Sequence, residues 1–165
     1  MLQIAIYSDR YDDAEKLKST IQDFLIETRT MAKVSHLDDP EAFLVVPDSY
    51  DIYIMDMDSK VNIITLTNKM KTIDTGAHYI FISSNPETDA VLATKARCDY
   101  FLEKPLDEKE FLEVLKEIKK EIKEDNVIIK IAGGERRIRA NHLNYINIEK
   151  RCLCYHLSDG TMFDG

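Results

Sequence analysis

Through residue 124 the chain alternates short apolar runs with amphipathic stretches, the periods of strands and helices in turn. The runs predict strands at 2–7, about 31–35, 51–56, 77–83 and 98–102. Helices are predicted at about 11–28, 40–46, 61–73, 87–96 and 107–124. In the first helix Ala14, Leu17, Ile21 and Phe24 recur at three- and four-residue steps, an apolar stripe able to pack on a sheet. The last helix is the clearest. Phe111, Leu115, Ile118 and Ile122 form one face, with Lys and Glu alternating around the remainder. Asp107 stands three residues before Glu110, the spacing of a capping box. Repeated β-α units of this kind imply an α/β fold, a five-stranded parallel sheet wound on both faces.

After the polar run 119–126 the texture changes. From Val127 the pattern predicts short strands at 127–131, 136–139, 143–148 and 152–157, with Gly133-Gly134 and Ser158-Asp159-Gly160 as turns. The boundary falls at 124–127, separating a first module, 1–124, from a second, 127–165. So short an all-β stretch offers too little core for independent stability, and the expectation is an incomplete domain or a remnant that leans on its neighbour.

Composition adds a charge asymmetry. Residues 1–126 carry 16 basic and 26 acidic side chains, a net of −10; residues 127–165 carry 6 and 4, a net of +2. Only the basic second module suits an anionic partner such as nucleic acid. With 44% hydrophobic and 32% charged residues, the class expected is soluble and globular. No apolar stretch approaches the ~20 residues of a membrane helix, and the N-terminus lacks a signal peptide's basic start. A cytoplasmic protein with no membrane association is expected. Cys98, Cys152 and Cys154 fit no disulfide framework and are expected to be small buried hydrophobes in a reducing compartment. The four histidines show no metal-ligand spacing.

Three groups close apolar runs: Asp56 after Tyr53-Ile54-Met55, Ser83, and Lys104 of Lys104-Pro105. Strand ends of a parallel sheet converge at its ligand-binding edge. A lone carboxylate there is an expensive place for charge unless something uses it. Carboxylate, hydroxyl and ammonium together suit the uptake and holding of a phosphoryl group. A carboxylate attacking phosphorus repels the incoming anion, so a hard divalent cation must bridge the two. Lysine serves the phosphoryl oxygens as a compact point charge, and Pro105 restricts the backbone that aims it. A cis Lys104-Pro105 bond is open at this stage.

With five β-α units, Asp9, Asp56, Ser83 and Lys104-Pro105, residues 1–124 resemble the receiver domain of two-component response regulators, a flavodoxin-like (βα)5 fold. The resemblance implies Asp56 as phosphoacceptor from a sensor histidine kinase, Ser83 as the hydroxyl on the phosphoryl oxygen, and Lys104 as its neutralising cation. It implies Mg²⁺ held by Asp9, Asp56 and the backbone carbonyl of Met57, and Phe101 as the switch aromatic. It further implies a signalling switch rather than an enzyme, with homodimerisation through the receiver. Two positions depart from the family's pattern. Ser8-Asp9 replaces a pair of adjacent acids, and the loop 57–63 lacks the usual proline and glycines. Asp58 is either a substitute ligand or, more in keeping with its position, a helix cap, and Lys60 is a further cation near the pocket.

In the second module, Tyr145-Ile146-x-Ile148-Glu149 and its spacing to Asp159-Gly160 resemble the opening strands of a LytTR-type DNA-binding domain, whose remaining length is absent. That resemblance implies Lys150 and Arg151, on a strand-to-strand turn, as DNA-phosphate contacts. The reading is a response regulator whose phosphorylation at Asp56 controls a DNA-binding output. A pseudo-receiver that binds a protein partner without phosphate stands beside it, favoured by Ser8. A flavodoxin-like enzyme with a phosphorylated cofactor is disfavoured, because the turn Ser8-Asp9-Arg10-Tyr11-Asp12-Asp13 is acidic and has no glycine for phosphate approach.

Overall fold

Continuous apolar runs become strands buried on both faces, the pattern of a parallel sheet covered by helices. The structure is a computed structural model and describes residues 2–39, 50–73, 76–124, 126–158 and 160–164. The order is β1 (Leu2–Tyr7), α1 (Tyr11–Glu27), β2 (Ala32–Leu37), β3 (Ile52–Asp56), α2 (Ile63–Ile73), β4 (His78–Ser83), α3 (Pro86–Lys95), β5 (Tyr100–Glu103) and α4 (Glu108–Glu124). Strands β6 (Asn126–Ile131), β7 (Gly134–Arg139), β8 (Leu143–Glu149), β9 (Cys152–Leu157) and β10 (Met162–Asp164) follow. The chain divides into two compact units, Met1–Leu115 and Lys116–Gly165, and the change from helix to strands falls between Glu124 and Asn126. The helix expected at 40–46 and Asp159 of the expected turn lie outside the described residues.

The first unit holds a five-stranded parallel sheet in the order β2-β1-β3-β4-β5, the flavodoxin-like arrangement. Alternate residues divide between its faces. Ala5, Tyr7, Tyr53, Met55, Tyr79 and Phe81 pack with Ile63, Leu66 and Met70 of α2 and Ala93 of α3. Ile4, Ile6, Ile52, Ile54, Ile80 and Ile82, one step out of phase, are fully buried on the opposite face. Each such side chain contributes about 2 kcal/mol through area removed from water. Helix α1 buries Ala14, Ile21 and Leu25, and its Phe24 ring meets Phe111 of α4 at 6.0 Å between centroids. Asp107 Oδ1 accepts the Glu110 amide at 2.9 Å, which caps α4 as the spacing predicted.

The second unit pairs β6 with β7 as a hairpin and β8, β9 and β10 as an antiparallel sheet in the order β10-β9-β8. Ile129, Ile138 and Tyr155 form its small core, with Val127, Ile131, Leu143, Leu157 and Phe163 against it. Gly160, at φ +87, turns β9 into β10, a backbone conformation that favours glycine. Strand β10 was not foreseen; three residues are too few to show a period. Cys152 is exposed, against the expectation of burial, whereas Cys154 is buried beside Asp164.

Candidate functional site

Parallel register brings the predicted groups to one sheet edge. Tyr7 lies opposite Met55, Asp56 opposite Ile82, and Ser83 opposite Glu103, so Ser8, Asp56, Ser83 and Lys104 all emerge at the carboxyl ends of adjacent strands. Asp56 is 1% exposed. Burying a lone carboxylate would cost several kcal/mol, and here four donors offset that cost. Lys104 Nζ at 2.5 Å and the Asp58 amide at 3.0 Å reach Oδ1. Ser8 Oγ at 2.9 Å and Arg10 Nη2 at 3.5 Å reach Oδ2. The Lys104-Pro105 peptide is cis.

Asp58 is not a helix cap. Its Oδ2 accepts Ser84 Oγ at 2.7 Å, Lys104 Nζ at 3.0 Å and Arg10 Nη2 at 3.3 Å, while Oδ1 accepts the Ser84 amide at 3.2 Å. Helix α2 instead takes Asn62, whose Oδ1 accepts the Thr65 amide at 3.0 Å. Burial pushes the Asp58 carboxyl up, but the Ser84 hydroxyl, the Lys104 ammonium and the Ser84 amide together hold it below the ordinary carboxylate range. A folded-state value below the unfolded one contributes stability that is present above about pH 4 and is lost as pH falls through the lowered value. Asp58→Asn is therefore expected to flatten the acid limb of the stability–pH curve, measured by urea unfolding from neutral pH downward. An unchanged acid limb would show that Asp58 contributes nothing to it.

Three further groups named from the sequence are Ser83, Lys60 and Phe101. Ser83 Oγ is fully buried, but it donates to Asp89 Oδ2 at 2.5 Å and accepts the Asn85 amide at 2.8 Å, an arrangement tied to the first turn of α3 rather than to Asp56. Lys60 meets Asp9 through its backbone amide, at 2.7 Å from Asp9 Oδ2, and not through its ammonium. Phe101 lies half-buried opposite Phe81 in the β4–β5 register and packs against the core of that face. The cation that sequence reasoning missed is Arg10. Burial would lower its pKa, yet the charges of Asp56, Asp13 and Asp58 outweigh that and raise it. A long side chain one residue beyond Asp9 gives no sequence signal of where its tip lies.

The donor set has one feature that fits a hard divalent cation. Asp9 Oδ1 is buried without a hydrogen-bond partner, a carboxylate oxygen turned from water and left for a positive charge. Among the described residues no three His, Cys, Asp or Glu side chains converge as a metal site, so Asp9 and Asp56 would need backbone and solvent oxygens to complete the shell. Beside Asp56 a cavity of about 350 Å³ opens between Arg10, Lys16 and Leu17 on one side and Lys104, Pro105 and Leu106 on the other. In the second unit, Lys150 and Arg151 form the two-residue β8–β9 turn, exposed and at φ 49 and 71.

No protein-family profile and no curated protein matches the chain. Solved structures do. A response regulator receiver domain protein from Clostridium thermocellum aligns with TM-score 0.62 at 17% identity, covering 74% of this chain and 98% of that one. The receiver domain of Francisella response regulator 1452 aligns at 0.59 and 16%, covering 73% and 98%. A protein described as the pilus assembly protein CpaE, from Burkholderia thailandensis, aligns at 0.61 and 16%, covering 73% and 99%. At such identities the likeness establishes the fold, a receiver-type flavodoxin-like domain followed by extra β-strands.

Proposed function

We propose that the chain is a response regulator, a cytoplasmic switch rather than an enzyme. Its first unit accepts a phosphoryl group at Asp56 from a sensor histidine kinase, and its second unit carries the response to DNA. The observation that supports this most is the Lys104 Nζ–Asp56 Oδ1 contact at 2.5 Å, an ammonium from beyond the end of β5 seated on a nearly inaccessible carboxylate at the end of β3, across β4. In the reaction an Asp56 oxygen forms a bond to phosphorus while the P–N bond of a phosphohistidine breaks. The bonding pair leaves with the imidazole, which takes its proton from solvent. Lys104 then follows the phosphoryl oxygens as a point charge. Asp9, Asp56 and the Met57 carbonyl would hold Mg²⁺, which when bound supplies charge neutralisation between Asp56 and the incoming anion.

The added charge would draw Ser83 away from Asp89 and let Phe101 repack against Phe81, biasing the first unit toward a homodimer. For the second unit the reading is the opening part of a LytTR-type domain, with Lys150 and Arg151 against DNA phosphates. Positive φ at both residues is what a two-residue hairpin turn requires, and this turn leaves both cationic side chains exposed. A phosphorylation-independent protein-binding module is the second reading. Arg10 on Asp56 and Ser83 on Asp89 favour it, because both leave the pocket's groups committed.

Incubation with a small acyl phosphate and Mg²⁺, read by intact mass, separates the two. The expected result is one base-labile phosphoryl adduct on the wild-type chain and none on Asp56→Asn. No adduct under conditions that label a competent receiver would leave the second reading.

A further inference from the structure

We propose that Arg10 is an internal cation that competes with a divalent metal for the Asp56 carboxylate, and so sets the metal affinity of the site. The inference rests on the reading of Asp9 and Asp56 as the cation-holding pair. Arg10 Nη2 bridges Asp56 Oδ2 at 3.5 Å and Asp58 Oδ2 at 3.3 Å. Oδ2 is the Asp56 oxygen turned toward the β1–α1 turn, since Ser8 Oγ also reaches it, and that same turn carries Asp9 with its unpartnered buried oxygen. A cation entering between Asp9 and Asp56 therefore meets a guanidinium that stays charged at every accessible pH. Like charges at such separation oppose one another unless one moves.

The geometry provides for that movement. Of the two cations on Asp56, Arg10 is the looser, at 3.5 and 3.3 Å from Asp56 and Asp58 against 2.5 and 3.0 Å for Lys104. Its side chain is 44% exposed, where that of Lys104 is 19% exposed. Its other terminal nitrogen, Nη1, already sits 3.0 Å from Asp13 Oδ2 on the first turn of α1. The cavity beside Asp56 is lined by Arg10, Asp13 and Thr20, which gives the guanidinium space on that side. In its one position Arg10 holds Asp56 and Asp58 through Nη2 and Asp13 through Nη1. The Nη2 contacts neutralise the buried carboxylate when no metal is present, and metal entry requires Arg10 to give them up while keeping Asp13. Ser8 belongs to the same arrangement: a hydroxyl where a second acid would stand donates to Asp56 and adds no negative charge to draw a metal past Arg10.

The test uses the full chain and Mn²⁺ as a spin-active stand-in for Mg²⁺, with free Mn²⁺ followed by electron paramagnetic resonance. Arg10→Ala is expected to tighten Mn²⁺ binding about tenfold, the scale of one or two solvent-screened charge contacts. Arg10→Lys, which keeps the charge, should stay close to wild type. Unchanged or weaker Mn²⁺ binding in Arg10→Ala would overturn the proposal, as would equal tightening in both variants. The phosphodonor assay on the same samples keeps the two readings apart. Tighter Mn²⁺ binding without any adduct upholds the competition and removes the phosphoacceptor reading. A wild-type adduct with unaltered Mn²⁺ affinity in Arg10→Ala does the reverse.

Discussion

Replacing Lys104 with methionine is expected to destabilise the first unit by about 3 kcal/mol, because it leaves a buried carboxylate without its nearest cation. Lys104 Nζ serves both Asp56 at 2.5 Å and Asp58 at 3.0 Å, and the Asp56 side chain is only 2% exposed. Ser8, the Asp58 amide and Arg10 remain, which places the effect at the lower end for a broken buried pair. The loss belongs to the uncompensated charge and not to the methylenes, since methionine keeps most of the apolar stem. Lys104→Met combined with Asp56→Asn should therefore recover to within ~1 kcal/mol of Asp56→Asn alone. Chemical denaturation followed by circular dichroism measures all three. A single-variant loss below about 0.5 kcal/mol would mean that solvent screens the pair as it screens surface ion pairs. The same variant should lose phosphoryl uptake, having no point charge to follow the transferred oxygens.

Phe81→Ala is expected to cost about 4 kcal/mol, a large share of the 5–15 kcal/mol that holds an ordinary domain together. Phe81 is fully buried on the interior strand β4, between Met55 of β3 and Phe101 of the edge strand β5 in register. Parallel strands fixed on both sides cannot close around the lost ring, so the cavity persists and adds to the transfer loss. Phe81→Leu, nearer in volume, should cost only about 1 kcal/mol. Thermal unfolding of the two variants gives the comparison. If Phe81→Ala costs no more than Phe81→Leu, the core around Phe101 is loosely packed, and a repacking of Phe101 would carry no switch.

The parts of this chain that were legible in its sequence are those written as a period or a boundary. Asp56 and Lys104 could be found because each ends an apolar run that must be a buried strand, and parallel strands end at one edge. The stripe Phe111-Leu115-Ile118-Ile122 and the Asp107 cap were equally visible. The contacts that decide the site's chemistry were not. Ser8 reaches Asp56 only through the β1–β3 register, a long-range fact with no local signature. Arg10 and Asp58 are placed by side-chain rotamers, with Arg10 drawn inward by Asp56 at the end of β3 and Asp58 just beyond it. Ser83 ends the strand next to that of Asp56, and the structure gives its hydroxyl to Asp89, six residues on. Asp58 was the cap expected for α2, and the structure gives that place to Asn62, four residues on.

The central claim is that Asp56 is where a phosphoryl group lands. The most direct test is borohydride reduction of the chain after acyl-phosphate treatment with Mg²⁺, followed by peptide mass mapping. Reduction turns an aspartyl phosphate into homoserine, and the account predicts that residue at position 56 alone. Homoserine at position 9 or 58, or unmodified aspartate at every position, would contradict it.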